Sequence, residues 1–457
     1  MNSGKAGSST DTLKASPNIT NYRGQQLKPS RLTVVISFVL CTTTPFVVIY
    51  YWIAYQYFDT SIVTAARVAC SEGLFQFFIT RFPHSSGNAV FGYAAWLAFQ
   101  AIMYIYLPGR EALGPVTPAG RRLRYKLNGL AAWVATIALW ALGAISGIID
   151  PAYIAKNWEN LIWTTNVFSV VVVILFHMKA RLMPDNKAET FITGSFWYDI
   201  FEGGELHPRI GKMWDWRQFF CTRTGGILAW TLIDLSFAAH QYQSHGYLTY
   251  TMVAVVILRA WVVVDFFANE LWFFYTLDGM YESFGFYNIY GFSGMMPVFW
   301  SLQTQYLAKR PQELSNIALI SVILLFVAGW WIRFSADYQK MKFRQTDGEC
   351  RIWGKKAEGI KASHQTADGK LRHSLLLCSG WWGLARHANY PGSVMYTLAL
   401  CALCGCGGIF PYTEAIIAGG MVIHRCYRDE VKCAAKYGKD WHEYCRRVRW
   451  RMIPGVF

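Results

Sequence analysis

LTVVISFVLCTTTPFVVIYYWIAYQY runs from Leu32 to Tyr57 without one charged side chain. A helix needs about 20 apolar residues to cross the hydrocarbon of a bilayer, so this segment is long enough to span one. It begins too far into the chain, and runs too long, to be a cleaved signal peptide. Residues 1 to about 30 precede it, are rich in Ser, Thr, Asn and Gly, and read as a disordered tail.

The rest of the chain keeps that character. Of 457 residues, 53% are hydrophobic, 17% aromatic and only 16% charged, the last against roughly 25% in an average soluble domain. Backbone groups inside lipid must be satisfied within the segment, so apolar runs of this length predict helices. Further spans are expected over residues 88–107, 127–149, 161–178, 224–239, 248–267, 294–307 and 316–335, followed by a less regular pair at 394–410 and 412–425. Residues 61–82 and 270–292 read ambiguously. The expected fold is an all-α integral membrane protein, a bundle of about eight to ten transmembrane helices. GAISG, Gly143 to Gly147, has the small-xxx-small spacing that lets two helices approach closely.

The formal net charge of +15 would point to nucleic acid in a soluble protein. Here the basic residues gather in loops and in the C-terminal tail, which fits cytoplasmic segments obeying the positive-inside bias and no nucleic-acid partner. Lys340, Lys342, Arg344, Arg351, Lys355, Lys356, Lys361, Lys370 and Arg372 make 339–373 a basic extramembrane loop, expected in the cytosol with the C-terminus. Among the 11 cysteines, Cys401, Cys404 and Cys406 lie in an apolar run with no His or carboxylate at ligand spacing. They read as small packing residues, and neither a metal site nor a disulfide framework is expected. No P-loop and no Gly-rich dinucleotide fingerprint is present; the glycines from Gly405 to Gly408 fall within an expected span. A Rossmann domain is therefore excluded.

Polar side chains inside spans are costly, and each raises a functional question. Asp234, Asp265, Glu270 and Asp278 qualify, as do Arg386, His387 and Asn389 in SGWWGLARHANYPGS, Ser379 to Ser393. The bland reading of any one is an interhelical hydrogen bond. Their concentration in 265–282 and 379–390 favours a site between helices. In the tail, Arg428, Asp429 and Glu430 follow a span, with Lys436, Tyr437, Trp441 and Tyr444 beyond. Basic residues at a helix end can clamp phosphates and aromatic faces can stack on a heterocycle, while an interfacial anchor is the competing reading.

Four stretches carry a resemblance: GGELHPRIG (203–211), TDGECRIWGKK (346–356), LLCSGWWGLARHANYPG (376–392) and HRCYRDEVKCAAKYGKDWHEY (424–444), with IPGVF at the end. From about Pro115 onward the chain resembles the sterol reductases of the endoplasmic reticulum and nuclear envelope. Within that family LAWTLIDLSFAAHQ (228–241), FRQTDGECRIWG and TADGK bring it nearest the Δ7 branch. The resemblance implies an endoplasmic reticulum membrane protein organised as a tail (1–30), N-terminal transmembrane helices (31–190) and a reductase core (191–457) whose C-terminal part binds NADPH. It implies a sterol substrate, the bilayer as surroundings, and association with other membrane enzymes of sterol biosynthesis. Carried over by motif, the cofactor residues are Lys340, Arg344, Leu377, Trp382, Arg386, Asn389, Tyr390, Asp429, Cys433 and Tyr444. Lys340 and Arg344 stand four apart on one helical face, suited to phosphates.

The substrate side departs from the family pattern. TLDGMYESFGFYNIYGFSG (276–294) has Glu282 where aspartate is usual and Phe292 where a second acid is expected; HPRIG replaces NPRIG, and Ser393 stands in place of an acid. An alkene without a carbonyl accepts hydride poorly, so the implied reaction adds a proton first and hydride second. The proton donor is expected among Asp429, Glu282, Asp278, Tyr281 and Tyr275. The readings are a Δ7 sterol reductase, a relative acting on Δ14 or another double bond of a specialised sterol, and a non-catalytic sterol-binding membrane protein. A proton-coupled transporter is a remote fourth.

Overall fold

The computed structural model describes residues 28–365 and 371–457. Most of the expected tail (1–27) and TADGK, with Lys370, lie outside those residues.

The segment read first is one helix, Arg31–Tyr57, capped by Ser30, whose Oγ accepts from Thr33 N at 3.1 Å. Pro45 interrupts its ladder. Just before it, the hydroxyls of Thr42, Thr43 and Thr44 donate to the carbonyls of Phe38, Val39 and Leu40 at 2.7–2.8 Å, so these polar side chains are satisfied within the helix. Four more helices have the length and apolarity to cross a membrane: Gly87–Tyr106, Trp158–Leu182, Tyr250–Ala268 and Asn316–Gln345. The ambiguous region 61–82 is a broken pair, Ile62–Glu72 and Leu74–Thr80, bent by 113° at Gly73, whose φ of +85° suits glycine.

The other expected spans are shorter, interrupted or charged. Gly129–Ile145 and Asn389–Ala402 are short, Ile227–His245 carries Asp234, and Ile409–Tyr437 ends in a run of charges. Region 270–309 is a chain of short helices, Glu270–Phe273, Leu277–Met280, Phe286–Tyr290, Met296–Phe299 and Leu302–Lys309. Such irregular backbone is tolerated at membrane depth only when protein covers it. Here it is covered, for Leu302, Gln303, Thr304, Gln305, Tyr306, Leu307 and Ala308 are all buried. The architecture is thus mostly helical, with four small two-stranded antiparallel sheets among the described residues.

Two local expectations fail for geometric reasons. GAISG forms no helix crossing: the helix ends at Ile145, Gly147 takes φ +74°, and a Cβ on Gly143 would meet only Ile149 of the same turn. The close crossing is instead at Gly329 and Gly392, where a Cβ on either would press on the other's carbonyl oxygen at 2.6–2.8 Å. Likewise Gly405 and Gly408 sit in the turn between Asn389–Ala402 and Ile409–Tyr437, at φ +54° and +76°, rather than within a span. Cys401 and Cys404 are buried there, whereas Cys406 is exposed.

Asp234 has a structural role. Arg259, from Tyr250–Ala268, makes two hydrogen bonds of 2.7 and 2.8 Å to Glu414, a third to Gln303, and approaches Asp234 at 3.5 Å. All are at most 2% exposed, and together they tie four helices at the centre of the bundle. A charge cluster so buried stands only because its members neutralise one another.

The basic loop folds. Lys340, Lys342 and Arg344 continue the Asn316–Gln345 helix beyond its apolar part, and two hairpins follow, Arg351–Ile352 with Lys355–Lys356 and Gly359–Gln365 with Leu371–Leu377. The second hairpin packs through Ala362 and Leu376 on Cys433, Trp441, Tyr444 and Val448. The loop and the C-terminal helices therefore lie on the same side of the bundle.

Candidate functional site between the C-terminal helix and the 278–282 segment

Ile409–Tyr437 runs straight through its apolar half into its charged half, so Arg425, Arg428, Lys432 and Lys436 fall on one face at helical spacing. That face meets the 278–282 segment side chain by side chain. Arg425 pairs with Asp278 at 2.8 Å and donates to Tyr287 Oη at 2.9 Å. Arg428 pairs with Glu282 at 2.8 Å. Lys432 Nζ lies 4.5 Å from the centre of the Tyr281 ring, and Lys436 Nζ reaches Tyr281 Oη at 3.5 Å.

From the other side, Arg217 fixes the same segment. Its guanidinium donates to the carbonyls of Asp278, Gly279 and Glu282 and to His207 Nδ1 at 2.8 Å. His207, the departure in HPRIG, thus serves as an acceptor for a buried arginine. The 203–211 motif also touches the segment directly. Phe284 N donates to Glu205 O at 2.8 Å, and a Cβ on Gly203 or Gly285 would land on the opposing backbone. Glu202 is thereby set beside Glu282. Desolvation and the neighbouring Glu282 charge push the Glu202 carboxyl up to about 7, against the pull of Arg428.

The motif-derived cofactor residues gather against the same helix. Lys340 Nζ sits 4.2 Å above the Trp382 ring, whose Nε1 donates to Ala336 O at 2.7 Å. Asp429 ion-pairs with Lys432, and Cys433 Sγ lies 3.8 Å from its Oδ2. Burial alone would raise the Asp429 pKa, but Lys432, His387 and Lys340 outweigh it and hold the carboxyl well below the usual range. Asn389 Nδ2 donates to Asp337 at 2.9 Å, leaving its Oδ1 buried without a partner. Tyr390 stacks on His387, centroids 5.2 Å apart, and burial keeps His387 down at about 4.

Other expected residues sit further back. Arg386 holds Glu430 at 2.8 Å and the carbonyls of Val448 and Arg449, so it braces the turn through the C-terminus. Leu377 packs with Trp382 and Phe343, while Tyr444 packs on Trp441 beneath Cys433. Arg344 is exposed at the helix end. Tyr275 is partly buried, in the turn after Glu270–Phe273. Asp265 pairs with Arg333 at 2.6 Å, and Glu270 accepts from Gly129 N and Gln218, contacts that join helices. Ser393 donates back to Asn389 O at 3.3 Å and also hydrogen-bonds with Tyr396.

The ligand atoms of His387, Cys426 and Glu430 lie within 4.8 Å of one another. Both Glu430 oxygens, however, accept guanidinium hydrogens, from Arg386 and Arg451. That arrangement is an ion-pair hub rather than a metal centre. Sequence reasoning placed Arg428 and Lys436 among possible phosphate clamps and passed over Arg425, Lys432 and Arg217. Arg428 is instead committed to Glu282, and the signal for the stripe was the spacing 425, 428, 432, 436.

Comparison with known proteins gives the family. The model of the Ergosterol biosynthesis ERG4/ERG24 family matches residues 31–457, well beyond the Pro115 boundary read from motifs. The chain is 41% identical over 387 residues to 7-dehydrocholesterol reductase of Xenopus laevis, covering 82% of each protein. It is 33% identical over 420 residues to Delta(14)-sterol reductase of Methylotuvimicrobium alcaliphilum, covering 92% of this chain and 94% of that one. The Delta(14)-sterol reductase of Dictyostelium discoideum is 30% identical over 434 residues, 93% of this chain and 91% of its own. With its membrane-length helices and its motifs assembled about one helix, the chain belongs to the ERG4/ERG24 family of sterol reductases.

Proposed function

We propose that the chain reduces the Δ7 double bond of a sterol with NADPH, in the endoplasmic reticulum membrane, its basic hairpins and C-terminus facing the cytosol. The observation that carries this reading is Lys432, which pairs with Asp429 on the cofactor side and covers Tyr281 on the substrate side. One residue thus couples the two halves that a hydride transfer must bring together.

The residues present suit the nucleotide. Lys340, Arg344, Lys432 and Lys436 outnumber Asp337 and Asp429, leaving positive charge for phosphates. The unpartnered, buried Asn389 Oδ1 is an acceptor fit for a carboxamide N–H. Trp382 and Tyr390 offer flat faces, with Leu377, Cys433 and Tyr444 as apolar backing and Arg386 as brace. NADPH, when bound, supplies the hydride.

Protonation falls to the chain. Asp278 and Glu282 are engaged by guanidinium groups and anchor the segment, whereas Tyr281 presents an O–H 3.5 Å from Lys436 Nζ, with Lys432 over the centre of its ring. We assign the donor role to Tyr281 and the positioning of Lys432 to Asp429. The Δ7 choice rests on the 41% identity to a relative named for that reaction. The test is turnover in microsomes: NADPH with 7-dehydrocholesterol or a Δ14 diene, following loss of diene absorbance. Reduction of the Δ14 diene alone would move the assignment to Δ14. No turnover of any diene, with no NADPH binding, would leave a non-catalytic sterol-binding protein.

A further inference from the structure

Opposite the cofactor residues, the Asn316–Gln345 helix presents a second face. Arg333, Asp337 and Lys340 point to Asp265, Asn389 and Trp382 respectively, and Trp331, Ser335, Tyr338 and Lys342 follow one another on the other side. With Arg351, Trp353 and Trp381 they line a cavity of about 370 Å³. Adjacent tryptophans divide the two sites. Trp382 lies under Lys340, whereas Trp381 donates Nε1–H to Ser335 Oγ at 2.9 Å and faces this cavity.

Three features give the cavity a ligand class. First, it lies where the apolar part of the helix gives way to DYQKMKFR, the level at which aromatic belts and basic residues meet lipid headgroups. Second, its charge is positive. Among the described residues, Lys342 forms no ion pair and lies 6.0 Å from the Tyr338 ring centre, and Arg351 forms no ion pair. Third, Trp353 is held where tryptophan is disfavoured. Ile352 pairs with Lys355 across a two-residue turn in which Trp353 and Gly354 take φ +50° and +79°, a geometry suited to Asn-Gly. Yet the side chain is 60% exposed, touching Trp381 edge-on at 5.4 Å. Backbone strain that leaves a large aromatic in the open is a mark of a binding surface.

We propose that this cavity is a binding site for an anionic phospholipid, its phosphate between Lys342 and Arg351 and its acyl chain along Trp331 and Trp353. The attraction expected is that of a cytosolic leaflet for juxtamembrane cations. This site is separate from the reductase centre and does not depend on the sterol assignment.

The test uses the full chain in nanodiscs of mixed phosphatidylserine and phosphatidylcholine, with retained lipid read by native mass spectrometry. The wild type should keep phosphatidylserine selectively. The Lys342→Ala/Arg351→Ala variant should lose that selectivity by roughly an order of magnitude or more, with NADPH affinity unchanged. Trp353→Ala should weaken retention of both lipids while preserving the preference. Should the double variant fail to insert, Arg351→Ala alone, on an exposed hairpin, carries the comparison. Equal phosphatidylserine retention in wild type and variant overturns the proposal. So does loss of NADPH affinity with lipid retention intact, which would assign the cavity to the nucleotide.

Discussion

Lys432 Nζ lies 4.5 Å from the Tyr281 ring centre while its charge is shared with Asp429, three residues back along the helix. The Tyr281 hydroxyl also lies 3.5 Å from Lys436 Nζ, so the ring sits where the 278–282 segment meets the C-terminal helix. Tyr281→Phe keeps the ring and removes the proton. Turnover is expected to fall by about 10²–10⁴-fold, the usual worth of a positioned acid, with NADPH affinity little changed. A Tyr281→Phe enzyme turning over at the wild-type rate would return the role to Glu282, Asp278, Tyr275 or Asp429.

A second consequence concerns Gly392, in the turn that carries Asn389. A Cβ there would meet Gly329 O at 2.6 Å and Arg333 N at 2.7 Å, both rigid helix backbone. Gly392→Ala should force the two helices apart, costing about 1–3 kcal/mol as overpacking does, and shift Asn389 from Asp337. Gly143→Ala meets only the flexible end of Ile149 and should be milder. Thermal melting of the two purified variants, with NADPH binding, distinguishes them; equal losses would refute the crossing.

Those two glycines show what the sequence could tell. Membrane character was legible in composition, and most spans in runs of apolar residues, because both are local properties. The motifs that carry the family resemblance were legible because they are continuous in sequence. GAISG had the right spacing and the wrong place, since a close crossing depends on which helix comes alongside, and Gly329 and Gly392 are far apart in sequence. The same holds for the stripe from Arg425 to Lys436. Its spacing was visible, but its partners at 278–282 lie some 150 residues away, and the broken backbone of 270–309 hides their direction. His207 looked like a loss of the usual asparagine until Arg217 was found donating to it.

The buried cluster at the bundle centre yields a stability prediction. Glu414→Ala leaves the Arg259 guanidinium with Gln303 and the longer 3.5 Å approach to Asp234. Breaking a buried pair by removing one partner costs about 3–5 kcal/mol. Denaturation in detergent should show a loss of that size for Glu414→Ala, with a smaller loss for Glu414→Gln, which retains hydrogen-bond acceptance. A Glu414→Ala protein melting like wild type would mean that water or Asp234 takes over the charge.

Glu202 supplies the pH dependence. Its carboxyl is pushed up from an ordinary 4.5 to about 7 by burial and by Glu282 beside it. Between these values the folded protein holds a proton that the unfolded chain has released. Stability therefore falls as pH rises from about 4.5 to about 7 and levels off above, because the unfolded state binds fewer protons over that window. Glu202→Gln is permanently neutral and should flatten this slope, raising the melting temperature most at pH 7 and above and least near pH 4.5. The 278–282 segment should respond as well, since a neutral neighbour leaves Arg428 to Glu282 alone, and the pH profile of turnover should lose any limb near 7. Melting curves of wild type and Glu202→Gln across that range, taken with NADPH absent, decide the matter: parallel slopes would show that the carboxyl titrates as it would in water.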